Sequence, residues 1–481
     1  MDYSSHFIGG TWAAPSSQER IEVRSASTGE AIGSTPRALA ADVDAAVQAA
    51  RRAFDDPNGW ASFSPIERGK HIERFAEELL ARRLQTARVV SQQNGMPIWF
   101  AEAVEGDFPA SMLRYYAQMM IDSPTVDARP GMYGGTSLVR RRPMGVVGAI
   151  TPWNVPQGIT SLKLGPALAA GNTVVLKPAE ETVLDALLMA EAAEAAGLPG
   201  GVLNIVPGGR DAGAALVEHP LVDKISFTGS TAAGRTIGEI CGRLLRPVTL
   251  ELGGKSAAIL LDDIDLDESL EALFGVTFLN NGQICWLNTR VLAPQSRYAE
   301  ITDALTDMAR ALQVGDPLDP ATKIGPLVSE RQRDRVEGYI AKGKAEGARM
   351  TTGGGRPSGL DAGWFVEPTI FADLDNSATI SREEIFGPVL AIMPYADEAD
   401  AIAIANDTPY GLGGTVWSPD ISRAVEVASR VEAGTVGINH YSNDPVAPFG
   451  GVKGSGLGRE LGPEGLHAFQ HLHTTYVPPT A

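Results

Sequence analysis

A chain of 481 residues, 44% hydrophobic and 20% charged, has apolar material for ordered globular domains and is too long for one core. A net charge of −18 excludes a nucleic-acid or anionic-membrane partner, since both need basic patches. Two cysteines, Cys241 and Cys285, make no disulfide framework, the first residues carry no signal pattern, and no apolar run approaches the roughly 20 residues of a membrane span, so a cytoplasmic location is expected.

In residues 1–40, turn signals (Gly9-Gly10, Ser27-Thr28-Gly29) separate short runs such as Ile21-Glu22-Val23, which predict small antiparallel strands flanking a domain. Val43, Ala46, Val47, Ala50 and Phe54 repeat at helical spacing until Pro57-Asn58-Gly59. Ser64, Pro65 and Glu67 form a capping box ahead of the stripe Ile72, Phe75, Ala76, Leu79 and Leu80, predicting a helix that ends before Asn94-Gly95. A third helix is predicted from about Pro97 to Ile121. Segment 124–143 reads as a projecting hairpin without a core of its own, which needs another surface: a second subunit, or the body of the protein if it is a packed loop.

From Val146 the pattern changes to short apolar runs alternating with helices. The runs are Val146–Ile150, 173–176, 202–206, 224–227 and 248–250, and the helices are stopped by Gly171-Asn172, Gly197 and Pro220. Runs buried on both faces and separated by helices predict a parallel sheet, whose ligands bind beyond the carboxyl ends of its strands. Polar residues collect there: Trp153, Asn154, Lys177, Thr228, Gly229, Ser230 and Glu251. No GxGxxG loop is present; Gly229-Ser230-Thr231 opens a helix whose free N–H groups suit a phosphate or are simply capped.

Beyond Gly253-Gly254, an apolar helix from Leu266 to Phe278 runs into Asn280-Asn281-Gly282-Gln283-Ile284-Cys285, which presents a thiol on a tight turn and makes Cys285 a candidate nucleophile. A second α/β stretch follows from Arg290 to about Gly437, with Glu384 and Phe386 on a loop within it. His467, His471 and His473 lie close together but lack a cysteine or carboxylate at ligand spacing, so they read as surface histidines and no metal is expected.

Pro152-Trp153-Asn154, Lys177-Pro178-Ala179-Glu180, Phe227-Thr228-Gly229-Ser230-Thr231, Leu250-Glu251-Leu252-Gly253-Gly254, Asn281-Gly282-Gln283-Ile284-Cys285, Glu384-Ile385-Phe386-Gly387-Pro388 and Pro448-Phe449-Gly450-Gly451 resemble the signatures of the aldehyde dehydrogenase superfamily, in its order and over nearly the whole chain. The resemblance implies an α/β fold with a Rossmann-like NAD-binding domain (1–123 and 144–252) and an α/β catalytic domain (253–440). It also implies a β-ribbon for oligomerisation (124–143 with 465–481) and a return segment, 441–464, that lines the site. Under it Cys285 is the nucleophile, Asn154 the oxyanion donor and Glu251 the general base. Lys177 and Glu180 meet the adenosine ribose, Gly229 and Ser230 the pyrophosphate, Glu384 and Phe386 the nicotinamide half, with Ile150 and Trp153 beside the cofactor. It further implies a homodimer or homotetramer.

The chemistry asks for these residue types. A thiolate adds to the aldehyde carbonyl, donors hold the oxyanion, hydride leaves for NAD, and a carboxylate of raised pKa activates the water that hydrolyses the thioester. Glu180 accepts from a ribose 2′-hydroxyl and repels a 2′-phosphate, which favours NAD, although Lys177 leaves NADP open.

The residues after Pro-Trp-Asn, often bulky aromatics in the family, include Val155, Gly158, Ile159 and Leu162, and Trp286 follows the nucleophile where smaller groups are common. A wide, apolar substrate tunnel is expected, suited to an aromatic or terpenoid aldehyde. The alternatives are a semialdehyde dehydrogenase of the same fold, for which Arg114 or Arg297 would have to reach in, a cofactor-independent cysteine esterase or thioesterase, for which no partner histidine stands out, and a binding protein without turnover.

Overall fold

The apolar runs from Val146 onward become the centre of an eight-stranded sheet in the computed structural model, which describes residues 1–124 and 126–479. Val248–Glu251, Lys224–Thr228, Val146–Ile150, Thr173–Lys177 and Leu203–Ile205 lie side by side in that order, all parallel. Every residue of Val146–Ile150 and Thr173–Lys177 is buried, because helices cover both faces. The order of the strands reverses between Val146–Ile150 and Lys224–Thr228, so a crevice opens beyond their carboxyl ends. The hairpin His6–Ile8 and Thr11–Ala13 extends one edge, and Gly456–Leu457, from the return segment, closes the other. Arg20–Arg24 pairs antiparallel with Ala31–Pro36 in a small separate sheet.

The second α/β stretch forms a seven-stranded sheet, ordered Arg349–Thr352, Thr369–Ala372, Val389–Tyr395, Arg290–Pro294, Ala257–Leu260, Gly414–Trp417, Gly437–Ile438. Its two faces bury separate apolar clusters, one around Phe371, Val389 and Val416, the other around Phe278, Ile392 and Trp417. Thr136–Pro143 is the middle strand of a third sheet, between Val126–Pro130 and Gln470–Val477, and carries the hairpin predicted at 124–143. Residues 125, 480 and 481 of the expected ribbon lie outside the described residues.

Three helices differ from the sequence reading, each for a packing reason. The helix predicted from Ser64 to Asn94 breaks at Arg82 into Pro65–Ala81 and Arg83–Asn94. Its halves serve different cores: Ile72, Phe75 and Leu79 pack under the first sheet, Ala87 and Val90 against Met96 and Ala101. The helix predicted from Pro97 to Ile121 starts at Ile98 and is interrupted by a π-helical turn, Glu102–Asp107, which turns Glu105 inward before Phe108–Asp122 resumes. The helix read from Ser161 begins earlier, at Pro156, where proline suits the first position.

Candidate active site

Cys285 is placed by a turn whose polar residues are anchors. Asn280 and Asn281 both take left-handed backbone (φ 51° and 61°), which asparagine tolerates. The Asn281 side chain donates to the carbonyls of Gly95 (2.8 Å) and Pro326 (2.9 Å) and accepts from the Gly325 N–H (2.6 Å). Asn280 donates to the Asn154 carbonyl at 3.0 Å. Gly282 has φ 75°, and a Cβ there would run into the backbone of Gly387, so the Cys285 turn and the Glu384–Pro388 loop meet backbone to backbone. Asn154, buried, reaches the same turn: its Nδ2 donates to the Gln283 carbonyl at 2.9 Å.

Two cavities meet at the thiol. One, of about 470 Å³, is walled by Val155, Gly158, Ile159, Leu162 and Trp286, the residues expected for the tunnel, and by Phe100, Val104, Phe108, Tyr441 and Phe449. Trp286 stacks on Tyr441, ring centroids 4.5 Å apart and 18° from parallel. Among the described residues no lysine or arginine lines it. Arg114 is paired with Glu73 and Arg297 with Glu300, away from the tunnel. The other cavity, about 440 Å³, opens at the reversal of strand order and is walled by Trp153, Gly229, Ser230, Glu384 and Phe386. Asn154, Ile159, Thr228 and Cys285 border both.

Burial pushes the Cys285 thiol well above its ordinary pKa, with the Glu384 and Glu251 carboxylates adding to the rise, while its own N–H and that of Trp286 act in the opposite direction. Glu251 lines the tunnel with both carboxylate oxygens buried and unpartnered. Burial, and then the charge of Glu460, hold its carboxyl well above the usual range, against Lys163 and Arg459. Lys163 and Glu460 form an ion pair inside the protein, Nζ to Oε1 2.5 Å, and Lys163 also donates to Thr228 Oγ1 at 2.7 Å. Neither was singled out in the sequence. The signal was there: Lys163 is the one lysine of Pro156–Ala170, a helix buried nearly throughout.

The expected cofactor residues fall into two groups. Trp153 and Phe386 pack edge to face at 5.2 Å in the second cavity, and Phe386 is held at φ 62° by Gln332, whose Nε2 donates to the Phe386 carbonyl at 2.7 Å. Ser230 caps helix Thr231–Arg243, accepting from the Ala233 N–H at 3.3 Å. Glu384 accepts from the Gly254 N–H at 3.1 Å, and burial raises its pKa to about 7. Ile150, Lys177 and Glu180 do not line this cavity. Ile150 belongs to the sheet core. Lys177 is turned onto the carbonyls of Pro178 and Gly208, both at 2.8 Å, and Glu180 pairs with Arg37 at 3.3 Å, a partner the sequence did not announce.

A model of the aldehyde dehydrogenase family matches residues 12–475. The chain belongs to the aldehyde dehydrogenase family. Geranial dehydrogenase of Castellaniella defragrans is 54% identical, the match covering 99% of each chain. The putative aldehyde dehydrogenase DhaS of Bacillus subtilis is 42% identical over 98% of this chain and 95% of its own. Among solved structures, the Mycobacterium tuberculosis aldehyde dehydrogenase complexed with NAD+ superposes with a TM-score of 0.97 at 49% identity, covering 100% of this chain and 99% of that one. A cysteine variant of Pseudomonas syringae aldehyde dehydrogenase C, complexed with NAD+ and octanal, gives 0.94 at 40% identity, covering 98% and 96%.

Proposed function

We propose that this aldehyde dehydrogenase oxidises bulky, apolar aldehydes, terpenoid above all, to the free acid with NAD, using Cys285 as nucleophile. The observation that carries it is the junction: one thiol stands where a wide apolar tunnel meets a second cavity at the sheet's reversal point. The geranial dehydrogenase relative and the octanal-bound neighbour support the substrate class, and the NAD+ complexes support the cofactor.

The second cavity fits the cofactor chemically. The opening turn of helix Thr231–Arg243 suits phosphate, and Phe386, fixed in a strained backbone, offers a flat apolar surface. Ser230 and Gly229 would hold the phosphates, Glu384 and Phe386 the nicotinamide side, and Glu180 the adenosine ribose. Bound NAD supplies the hydride acceptor. Glu180 disfavours a 2′-phosphate, and Arg37 fixes the carboxylate that does so.

The resting thiol is protonated, so attack begins with loss of its proton to Glu251, directly or through one water. The thiolate adds to the aldehyde carbon, and Asn154 Nδ2 with the Cys285 N–H stabilises the oxyanion. After hydride leaves, Glu251 gives the thiol's proton up to solvent, then takes one from the water that opens the thioester and passes it to the departing thiolate, so the acid is released and the thiol restored. The free thiols Cys241 and Cys285 fit a reducing cytoplasm, and the ribbon serves a homo-oligomer.

Reduced-cofactor absorbance with geranial, benzaldehyde, octanal, acetaldehyde and a semialdehyde tests this reading. Geranial should exceed acetaldehyde in kcat/KM by at least ~100-fold, since each buried methylene contributes about 0.8 kcal/mol. Cys285→Ala should abolish turnover. A preference for acetaldehyde or the semialdehyde would refute the substrate class, and ester hydrolysis with no reduced cofactor would establish the hydrolase alternative.

A further inference from the structure

The helix that follows Asn154 starts without a cap of its own. Val155 stands at the N-cap position and contributes no side-chain hydrogen bond, and Pro156 has no N–H. The next two amides, of Gln157 and Gly158, are satisfied from another element: both donate to Oε2 of Glu105, at 2.7 and 3.0 Å. Glu105 lies in the π-helical turn Glu102–Asp107, is 1% exposed, and its Oε1 has no partner. Around that turn Phe100, Val104 and Phe108 face the tunnel, while Val155, Gly158, Ile159 and Leu162 face it from the helix. The two elements also touch directly, since a Cβ on Gly158 would stand 2.9 Å from the Val104 carbonyl oxygen and 2.8 Å from Val155 Cγ1.

We propose that Glu105 is a positioning residue that joins the Phe100–Phe108 wall of the tunnel to the Asn154-bearing helix start, so that the seating of the aldehyde chain and the placement of the oxyanion donor are set together. The inference rests on the functional reading above, in which Asn154 is that donor. A π turn in place of an α turn is what brings the carboxyl of Glu105 inward while leaving its neighbours on the tunnel wall. Burial and the nearby Asp185 carboxylate hold the Glu105 carboxyl well above the usual range, so its acceptor oxygen works in the neutral acid as well. An amide oxygen can therefore replace it.

The test compares Glu105→Gln, Glu105→Ala and Gly158→Ala by steady-state kinetics on geranial, octanal and acetaldehyde. Glu105→Gln should keep wild-type kcat and selectivity. Glu105→Ala should lose about tenfold in kcat, as expected for a donor displaced by well under an ångström. It should also narrow the geranial-to-acetaldehyde ratio in kcat/KM, with KM for NAD unchanged. Gly158→Ala, which leaves Glu105 in place but forces the two elements apart, should show the same narrowed ratio, and it carries the test if Glu105→Ala does not fold. Wild-type kcat and selectivity in the alanine variants, a Gln variant as impaired as Ala, or losses confined to NAD binding would overturn the proposal. A wild-type protein that forms no reduced cofactor would instead overturn the functional reading on which it rests.

Discussion

Glu251 has two buried carboxylate oxygens without a hydrogen-bond partner, a costly arrangement that suits a group kept for chemistry. Burial is the largest cause of its raised proton affinity, and two charged groups then act on it with opposite signs. The Glu460 charge raises its pKa and the Lys163 charge lowers it. As the proposed base, Glu251 must be ionised, so activity should fall with acid as it takes up its proton. Glu460→Gln removes the raising charge, and the acidic limb of the kcat/KM profile should move to lower pH. Lys163→Met removes the lowering charge and should move it to higher pH. Each shift should be about one pH unit, the low end for a neighbouring charge. Breaking a buried pair destabilises both variants by about 3–5 kcal/mol, so Tm is measured alongside. Shifts of the same sign would show that some other group governs the limb.

Among the secondary elements, helix Pro156–Ala170 is held at its start by two neighbours, through the Glu105 carboxyl and the Asp185 backbone carbonyl. Besides Glu105, Asp185 takes part: its backbone carbonyl accepts from Gln157 Nε2 at 2.7 Å, and its Oδ1 accepts from Gln93 Nε2 at 2.6 Å. Burial raises the Asp185 pKa from 3.8 to about 7. The native state thus keeps a proton that the unfolded chain gives up between pH 3.8 and about 7, and stability falls as pH rises through that window. Asp185→Asn keeps an acceptor oxygen without the titration. It should raise Tm relative to wild type at pH 8, by a few kcal/mol of stability at most, and leave it unchanged near pH 4. An equal effect at both values would refute the linkage.

This buried network also marks how far the sequence was legible. Periodicity located the strands of the first sheet, because a run buried on both faces needs no partner to be recognised. Strand ends picked out Asn154 and Glu251, the glycine turn picked out Cys285, and all three line one cavity. Glu105, Lys163 and Glu460 were not legible, since each stands in an ordinary helical or loop pattern and acquires its meaning from a partner 52 to 297 residues away. The break at Arg82 and the π turn escaped for the same reason: both follow from which core each half-turn faces.

For the whole molecule, the three-stranded ribbon is the sheet that combines open edges with exposed apolar side chains. Val126–Pro130 and Gln470–Val477 are its two edge strands, and Met132, Tyr133, Leu472 and Tyr476 are 91%, 95%, 63% and 81% exposed. Open edges bearing exposed apolar side chains are sites of strand pairing and association. The charge distribution points to a second copy as the partner. Arg140, Arg141 and Arg142 lie on the central strand of a chain whose net charge is −18, so the ribbon is a basic feature that an otherwise acidic copy of the same chain attracts. The wild-type protein should therefore be a dimer or tetramer by light scattering. Tyr133→Asp combined with Tyr476→Asp, placed on the ribbon far in sequence from the site motifs, should shift it to a smaller species whose Tm depends less on protein concentration. A monomeric wild type, or a double variant of unchanged mass, would remove the ribbon from the account of assembly.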